Sequence, residues 1–182
     1  MKQITIFRLT MVLLLMVGVS CKKENIDIVP TENRAYVRTI ADSILDNWHK
    51  AASNANFEEY FGSMTTDAIF TGTDATEHWG INEFKDFSKP YFDRGKAWDL
   101  KPLERNIFVS EDNSIVWFDE LLDTWMGVCR GSGVIKKEND QWKIAHYVLS
   151  VTVPNDDINS VLDIKKETDS ILTRKLELKL NI

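Results

Sequence analysis

Residues 142–153 read "WKIAHYVLSVTV": twelve residues dominated by Val, Ile, Leu, Trp and Tyr, with no glycine or proline. Such a run favours an extended strand. Three more runs precede it, "WDLKPLERNIFVS" (98–110), "SIVWFDELLDTW" (114–125) and "WMGVCRGSGVIKK" (125–137). "EDN" and "END" separate the runs at two joints and suit tight turns, while the joint at Asp123-Thr124 is less plainly marked. Four consecutive strands predict an antiparallel meander.

Upstream the period changes. In residues 33–53 the residues Val37, Ile40, Ile44, Trp48 and Ala51 recur at helical spacing, giving one buried stripe. "NANFEEYFGSM" (54–64) adds a short helix ending near Gly62, and "DAIFTG" (67–72) a short strand. "TEHWGINEFKDFSKPYFDRG" (76–95) predicts a third helix opening at Thr76, with Trp79, Phe84, Phe87 and Tyr91 as its apolar face and a break at Pro90. Residues 155–176 return to helix, capped by Asn155 and with a patchy apolar face that includes Ile158, Val161, Leu162, Ile171 and Leu172. The expected fold is α+β: a curved antiparallel sheet wrapped on the N-terminal helices, leaving a cone-shaped cavity.

The first residues differ. Lys2 and Arg8 precede the apolar run "LTMVLLLMVGV", which stops at Ser20-Cys21. A basic start, a short apolar segment and small residues before a cysteine have the form of a bacterial lipoprotein signal, in which Cys21 is the lipidation site. The expected organisation is a signal peptide (1–20), a polar tether (21–32), a domain (33–154) and a C-terminal helical extension (155–182). The expected localisation is export to the cell envelope, attached to the membrane through the lipid alone. Loss of residues 1–20 leaves 162 of the 182 residues and moves the formal charge from −6 to −8. An acidic chain without a basic stripe excludes nucleic acid as an expected partner. With Cys21 lipidated, Cys129 stands alone, so no internal disulfide is expected.

"FTGTDATEHWG", "RGSGVI" and "WKIAHYVLS", taken with the order of elements, resemble the SnoaL-like branch of the nuclear-transport-factor-2-like superfamily over roughly residues 33–154. The resemblance implies the cystatin-like cone. It leaves function open between small-molecule binding domains and cofactor-free isomerases, dehydratases or hydrolases, because one fold hosts many chemistries. It also implies possible homodimers paired through the outer sheet face, hence a third reading as a dimeric envelope interaction domain. The branch's last strand often carries a second histidine two residues after the first. Val148 stands there, so no metal or cofactor is expected.

Regular alternation puts Trp142, Ile144, His146, Val148 and Ser150 on one face of the last strand. If Trp142 and Ile144 pack under the helices, His146 shares the concave side. Arg130 and Ser132 share a face of the preceding strand, and Trp117 and Asp119 a face of the one before, opposite Phe118 and Glu120. The candidate catalytic set is therefore His146 as base, Asp119 as its orienting carboxylate and Arg130 as anion holder. The candidate ligand-binding set is Trp79, Trp117, Ser132 and His78. Two alternatives stay open at this point: a core histidine satisfied by backbone, and a structural ion pair between Arg130 and Asp119 or Glu120. His49 lies near the end of the first helix with no evident partner in sequence.

Overall fold

A computed structural model describes residues 31–180. Helix α1 (Thr31–Ser53) is followed by the short α2 (Phe57–Gly62), strands β1 (Met64–Thr71) and β2 (His78–Gly80), and helix α3 (Ile81–Asp93). Strands β3 (Lys101–Val109), β4 (Ile115–Thr124), β5 (Gly127–Glu138) and β6 (Gln141–Val151) form the expected meander, and a short turn leads into α4 (Ile158–Leu180). All six strands join one curved sheet in the order β2-β1-β6-β5-β4-β3. Neighbours are antiparallel except β1 and β6, which run parallel.

The helices cover one face of this sheet. The buried stripe of α1 is Val37, Ala41, Leu45, Trp48, Ala51 and Ala52, with Ile40 and Ile44 only half-buried at its margin. Against it the sheet presents Val116, Phe118 and Leu122 from β4, Cys129 and Ile135 from β5, and Ile144, Tyr147 and Leu149 from β6, all buried. Trp48 is the keystone of this layer, stacked on Tyr60 at 4.8 Å and edge-on to Tyr147 at 4.7 Å.

Two local expectations are corrected. "HWG" (78–80) is a strand rather than the opening of a helix, because it pairs with β1 through Thr71↔His78 and Ile69↔Gly80. The helix starts at Ile81, where the Glu83 carboxylate accepts from the Gly80 N–H at 3.0 Å. Nor does Pro90 break α3. It sits in the last turn, and Phe92 beyond it is held buried against Phe57 and Tyr60 at 5.5 and 5.3 Å.

The β4–β5 joint resolves into a two-residue hairpin, Trp125-Met126, closed by Gly127 at φ +84°. Glycine suits that left-handed position. Thr124 holds the turn: its hydroxyl accepts from the Met126 N–H and donates to the Gly127 carbonyl, both at 2.9 Å. Trp125 projects from the tip, 84% exposed. The signal peptide, the tether to residue 30 and Cys21 lie outside the described residues.

Candidate functional site

A single extra residue decides which side chains meet inside the cone. Val134 pairs with His146 but Ile135 pairs with Ile144, so β6 spends two residues where β5 spends one, and Ala145 is the bulge. Side-chain alternation inverts across it. Ile144 points inward before the bulge; after it Tyr147 and Leu149 point inward while His146 and Val148 turn out. The expected concave placement of His146 is thereby corrected: it is half-buried on the outer face.

The companion residues lie on the same outer face. Cross-strand pairing sets one row as His78, Thr71, Val148, Ser132, Asp119 and Asn106, spanning all six strands. The neighbouring row runs through His146, Val134, Trp117 and Phe108. Asp119 meets Arg130 at 3.6 Å in a largely exposed ion pair, and also accepts from the Asn106 amide at 3.2 Å. Exposed pairs of this kind contribute little, in the range of about 0–1 kcal/mol. His146, Asp119, Arg130, Ser132, Trp117 and His78 are thus brought to one sheet face, but to the convex one. Trp79 alone of the seven lines the cavity.

Inside, a different constellation occupies the mirror positions. Glu120, one residue from Asp119, is completely buried. Its Oε1 takes hydrogen bonds from His49 Nε2 at 2.7 Å and the Tyr147 hydroxyl at 2.9 Å; its Oε2 takes one from Arg105 Nε at 2.9 Å. Arg105 continues to Asp42 and Asp46 on α1 at 2.6 and 2.8 Å. One carboxylate therefore ties α1, β3, β4 and β6 together. Burial pushes the Glu120 carboxyl up, but the hydrogen bond and charge of His49 and the charge of Arg105 outweigh it, and it is held below its ordinary value. Burial and the Glu120 charge push the Tyr147 phenol well up, so it remains a donor. A carboxylate only accepts, so His49 carries a proton on Nε2.

This cluster does not open on the cavity. Tyr147 lies beneath Phe70, ring centroids 5.7 Å apart, and Phe70 faces the void. The cavity, about 270 Å³, lies between β1, β2, α3, the segment before β3 and the Trp125 hairpin. Its walls are rings: Phe70 stacks on Phe84 at 4.0 Å, Trp79 on Phe87 at 4.4 Å, and Trp98 on Phe84 at 5.9 Å. Leu100, Met126 and Leu149 complete it. Its one carboxylate is Glu77 at the rim, already accepting from the Asp74 N–H at 3.1 Å. Such a site can hold a flat apolar molecule; Glu77 and Tyr91 are the ionisable side chains on its lining, and no histidine among the described residues reaches it. Among the described residues no group of three His, Cys, Asp or Glu side chains is arranged to hold a metal ion.

The sequence profile of the SnoaL-like domain matches residues 41–154. The chain belongs to the SnoaL-like family. No curated protein matches it. Among solved structures, this SnoaL-like domain is similar to an NTF2-like protein of unknown function from Pseudomonas putida, at 10% identity and TM-score 0.55, over 69% of this chain and 91% of that one. An NTF2-like protein from Cytophaga hutchinsonii matches at 17% identity and TM-score 0.53, over 63% and 98%. The association domain of C. elegans CaMKII matches at 17% identity and TM-score 0.54, over 66% and 99%. At these identities the likeness is one of fold. The SnoaL-like match ends at Pro154, so α4 lies beyond it.

The buried cluster and the cavity walls other than Trp79 were the parts missed from sequence. One signal for the cluster was present: in "IVWFDELLDT" the set Val116, Phe118, Glu120, Leu122 carries one charge, whereas Ile115, Trp117, Asp119, Leu121, Asp123 carries two. The less charged set is the one that faces the core.

Proposed function

We propose that this SnoaL-like domain binds a flat, apolar small molecule in the cone and performs no acid–base chemistry on it. The observation that carries this reading is the cavity wall of stacked aromatic rings with a single rim carboxylate. Small-molecule sites are mostly apolar and concave, with a few polar groups setting orientation. At about 270 Å³ the void suits one or two fused rings rather than a long chain. Glu77 disfavours anionic ligands, so neutral or cationic compounds are expected to lead.

The test is a thermal-shift and tryptophan-quenching screen of neutral, cationic and anionic aromatic compounds. Trp79 stacks on Phe87 and is only half-buried, so Trp79→Ala removes wall without removing core. It is expected to weaken the best ligand at least about tenfold, which corresponds to roughly 1.4 kcal/mol of lost contact. Trp117→Ala and His146→Ala on the outer face are expected to leave affinity unchanged. An affinity lost in His146→Ala but kept in Trp79→Ala would refute the assignment of the cavity.

The domain's setting is part of the proposal. The signal-like residues 1–20 ending at Cys21 support export and lipid attachment at the cell envelope. Cys21→Ser is expected to move the protein from the membrane fraction to the soluble fraction, and an unchanged distribution would remove the anchor. A second reading concerns the outer sheet face, where Trp117 and Phe108 stack at 5.8 Å while 46% and 41% exposed, beside the 45% exposed Ile115. That patch supports pairing of two copies through the sheet. Trp117→Arg is expected to reduce the mass seen by light scattering after size exclusion; an unchanged mass would discount the sheet pairing.

A further inference from the structure

Helix α4 has 23 residues and buries none of them. At 1.5 Å per residue it is about 34 Å long. Its principal contacts are with the short turn that precedes it. Isolated helices in water are marginal, and helices in proteins draw most of their stability from a packed apolar face. Yet the apolar side chains Ile158, Leu162, Ile164, Ile171, Leu176, Leu178 and Leu180 are all exposed. A helix of this length with this many solvated aliphatic residues lacks a partner among the described residues.

The spacing says which partner fits. Positions 158, 162, 165, 169, 172, 176 and 179 alternate steps of four and three, the seam of a two-stranded coiled coil. They are Ile, Leu, Lys, Asp, Leu, Leu and Lys. From 158 to 176 the seam is apolar at both ends and charged in its middle, where Lys165 and Asp169 stand 3.3 Å apart on one helix; Lys179 lies beyond that stretch. A second copy laid parallel would set Lys165 against Lys165 and Asp169 against Asp169. Laid antiparallel with Lys165 opposite Asp169, the same operation sets Ile158 opposite Leu176 and Leu162 opposite Leu172. The six layers from 158 to 176 are then matched, as two aliphatic pairs, two opposite-charge pairs and two aliphatic pairs, and Lys179 falls outside them. The arrangement also holds the two SnoaL-like domains at opposite ends of the helix pair, since residue 158 starts α4 directly after the domain.

We infer that α4 is a self-complementary dimerisation helix, pairing antiparallel with α4 of a second copy through the Ile158–Leu176 seam. The central charges set direction. Charged layers weaken a seam relative to an aliphatic one, but they penalise the parallel alternative more, where like charges would be held together. Ile164, Ile171 and Leu178 fall on a separate line of the helix, away from this seam, and supply an internal control.

The experiment uses the full chain in mild detergent, with association measured by light scattering after size exclusion over a concentration series. It is run in the wild type and in Trp117→Arg, so that pairing through the sheet face does not enter the second series. Lys165→Glu alone and Asp169→Lys alone each face like charges twice across the seam, and each is expected to weaken self-association at least about tenfold. An equimolar mixture of the two variants restores both cross-helix pairs, although the pair within each helix stays broken. It is expected to regain dimerisation to within about twofold of the parent. Leu172→Lys is expected to abolish the α4 pairing, while Ile171→Lys leaves it unchanged and shows that helix and domain tolerate an added charge. A Trp117→Arg chain that stays monomeric at every concentration overturns the proposal. So does a mixture that fails to recover, or an Ile171→Lys variant as impaired as Leu172→Lys.

Discussion

Replacing Glu120 by alanine is expected to destabilise the domain by about 3–5 kcal/mol, the range seen when one partner of a buried ionic cluster is removed. The carboxylate has no exposed surface and accepts from three groups, so its loss leaves the His49 Nε2–H, the Tyr147 hydroxyl and the Arg105 Nε all without their acceptor in the interior. Arg105 retains Asp42 and Asp46 at the edge of the sheet, which limits the loss at that one residue. For a domain of this size the melting temperature should fall by on the order of 10 °C. The pH dependence carries the sign of the effect. Because the folded state holds the Glu120 carboxyl below its ordinary value, the cluster contributes its full stability above the unfolded-state value of about 4.5 and loses it as pH falls through that value and below. Acid unfolding monitored by tryptophan fluorescence should therefore be shallower in Glu120→Gln than in wild type. An equal pH slope in the two proteins would show that the carboxylate is not what acid attacks.

The fold was legible because its signals are long. Four runs of strand-forming residues with turn residues at two of three joints leave little choice but a meander. The period of α1 identifies a buried stripe to within one residue of the one observed. The site was less legible because it depends on a binary choice made twice. A strand has two faces, and the sets Trp117–Asp119 and Phe118–Glu120 are each internally consistent. The reading that groups Asp119, Arg130, Ser132, Trp117 and His146 recovers a true face of the sheet. What reversed it was anchoring that face to the core through Ile144, two residues before His146. The bulge at Ala145 breaks that link, and no residue there announces it: alanine fits a bulge and a regular strand equally well. The pocket was hidden for another reason. Its walls come from β1, β2, α3 and the segment before β3, so Phe70, Trp79, Phe84 and Trp98 meet only through tertiary packing. Trp79 could be grouped with Phe84 and Phe87 from spacing along the chain; Phe70 and Trp98, which meet them in space, could not. His49 shows the same limit, since its partner Glu120 lies 71 residues away.

Gly131→Ala is expected to cost about 1–3 kcal/mol, and to do so by acting on the Glu120 cluster rather than on the strand backbone. Gly131 sits on the inward face of β5, directly under Tyr147. A methyl group there would overlap the Tyr147 hydroxyl outright, reach Tyr147 Cζ at 2.8 Å, and stand 3.1 Å from Glu120 Cγ. Tyr147 is fully buried against Trp48 and Phe70 and has no free space to retreat into. To admit the methyl it must shift, and shifting pulls its hydroxyl from the 2.9 Å bond to Glu120. Glycine in the middle of a strand ordinarily weakens it, so a change to alanine at a roomy position would be neutral or favourable. Here the sign is reversed by the ring that lies on the position. The mechanism makes a second expectation that simple overpacking does not. In a Tyr147→Phe background the hydroxyl that clashes first is gone and its hydrogen bond is already lost, so the penalty of Gly131→Ala should shrink by more than half. A double-mutant cycle on melting temperature or denaturant midpoint reads this coupling directly. Strict additivity of the two substitutions would show that Gly131 serves the bend of the strand and not the seat of Tyr147.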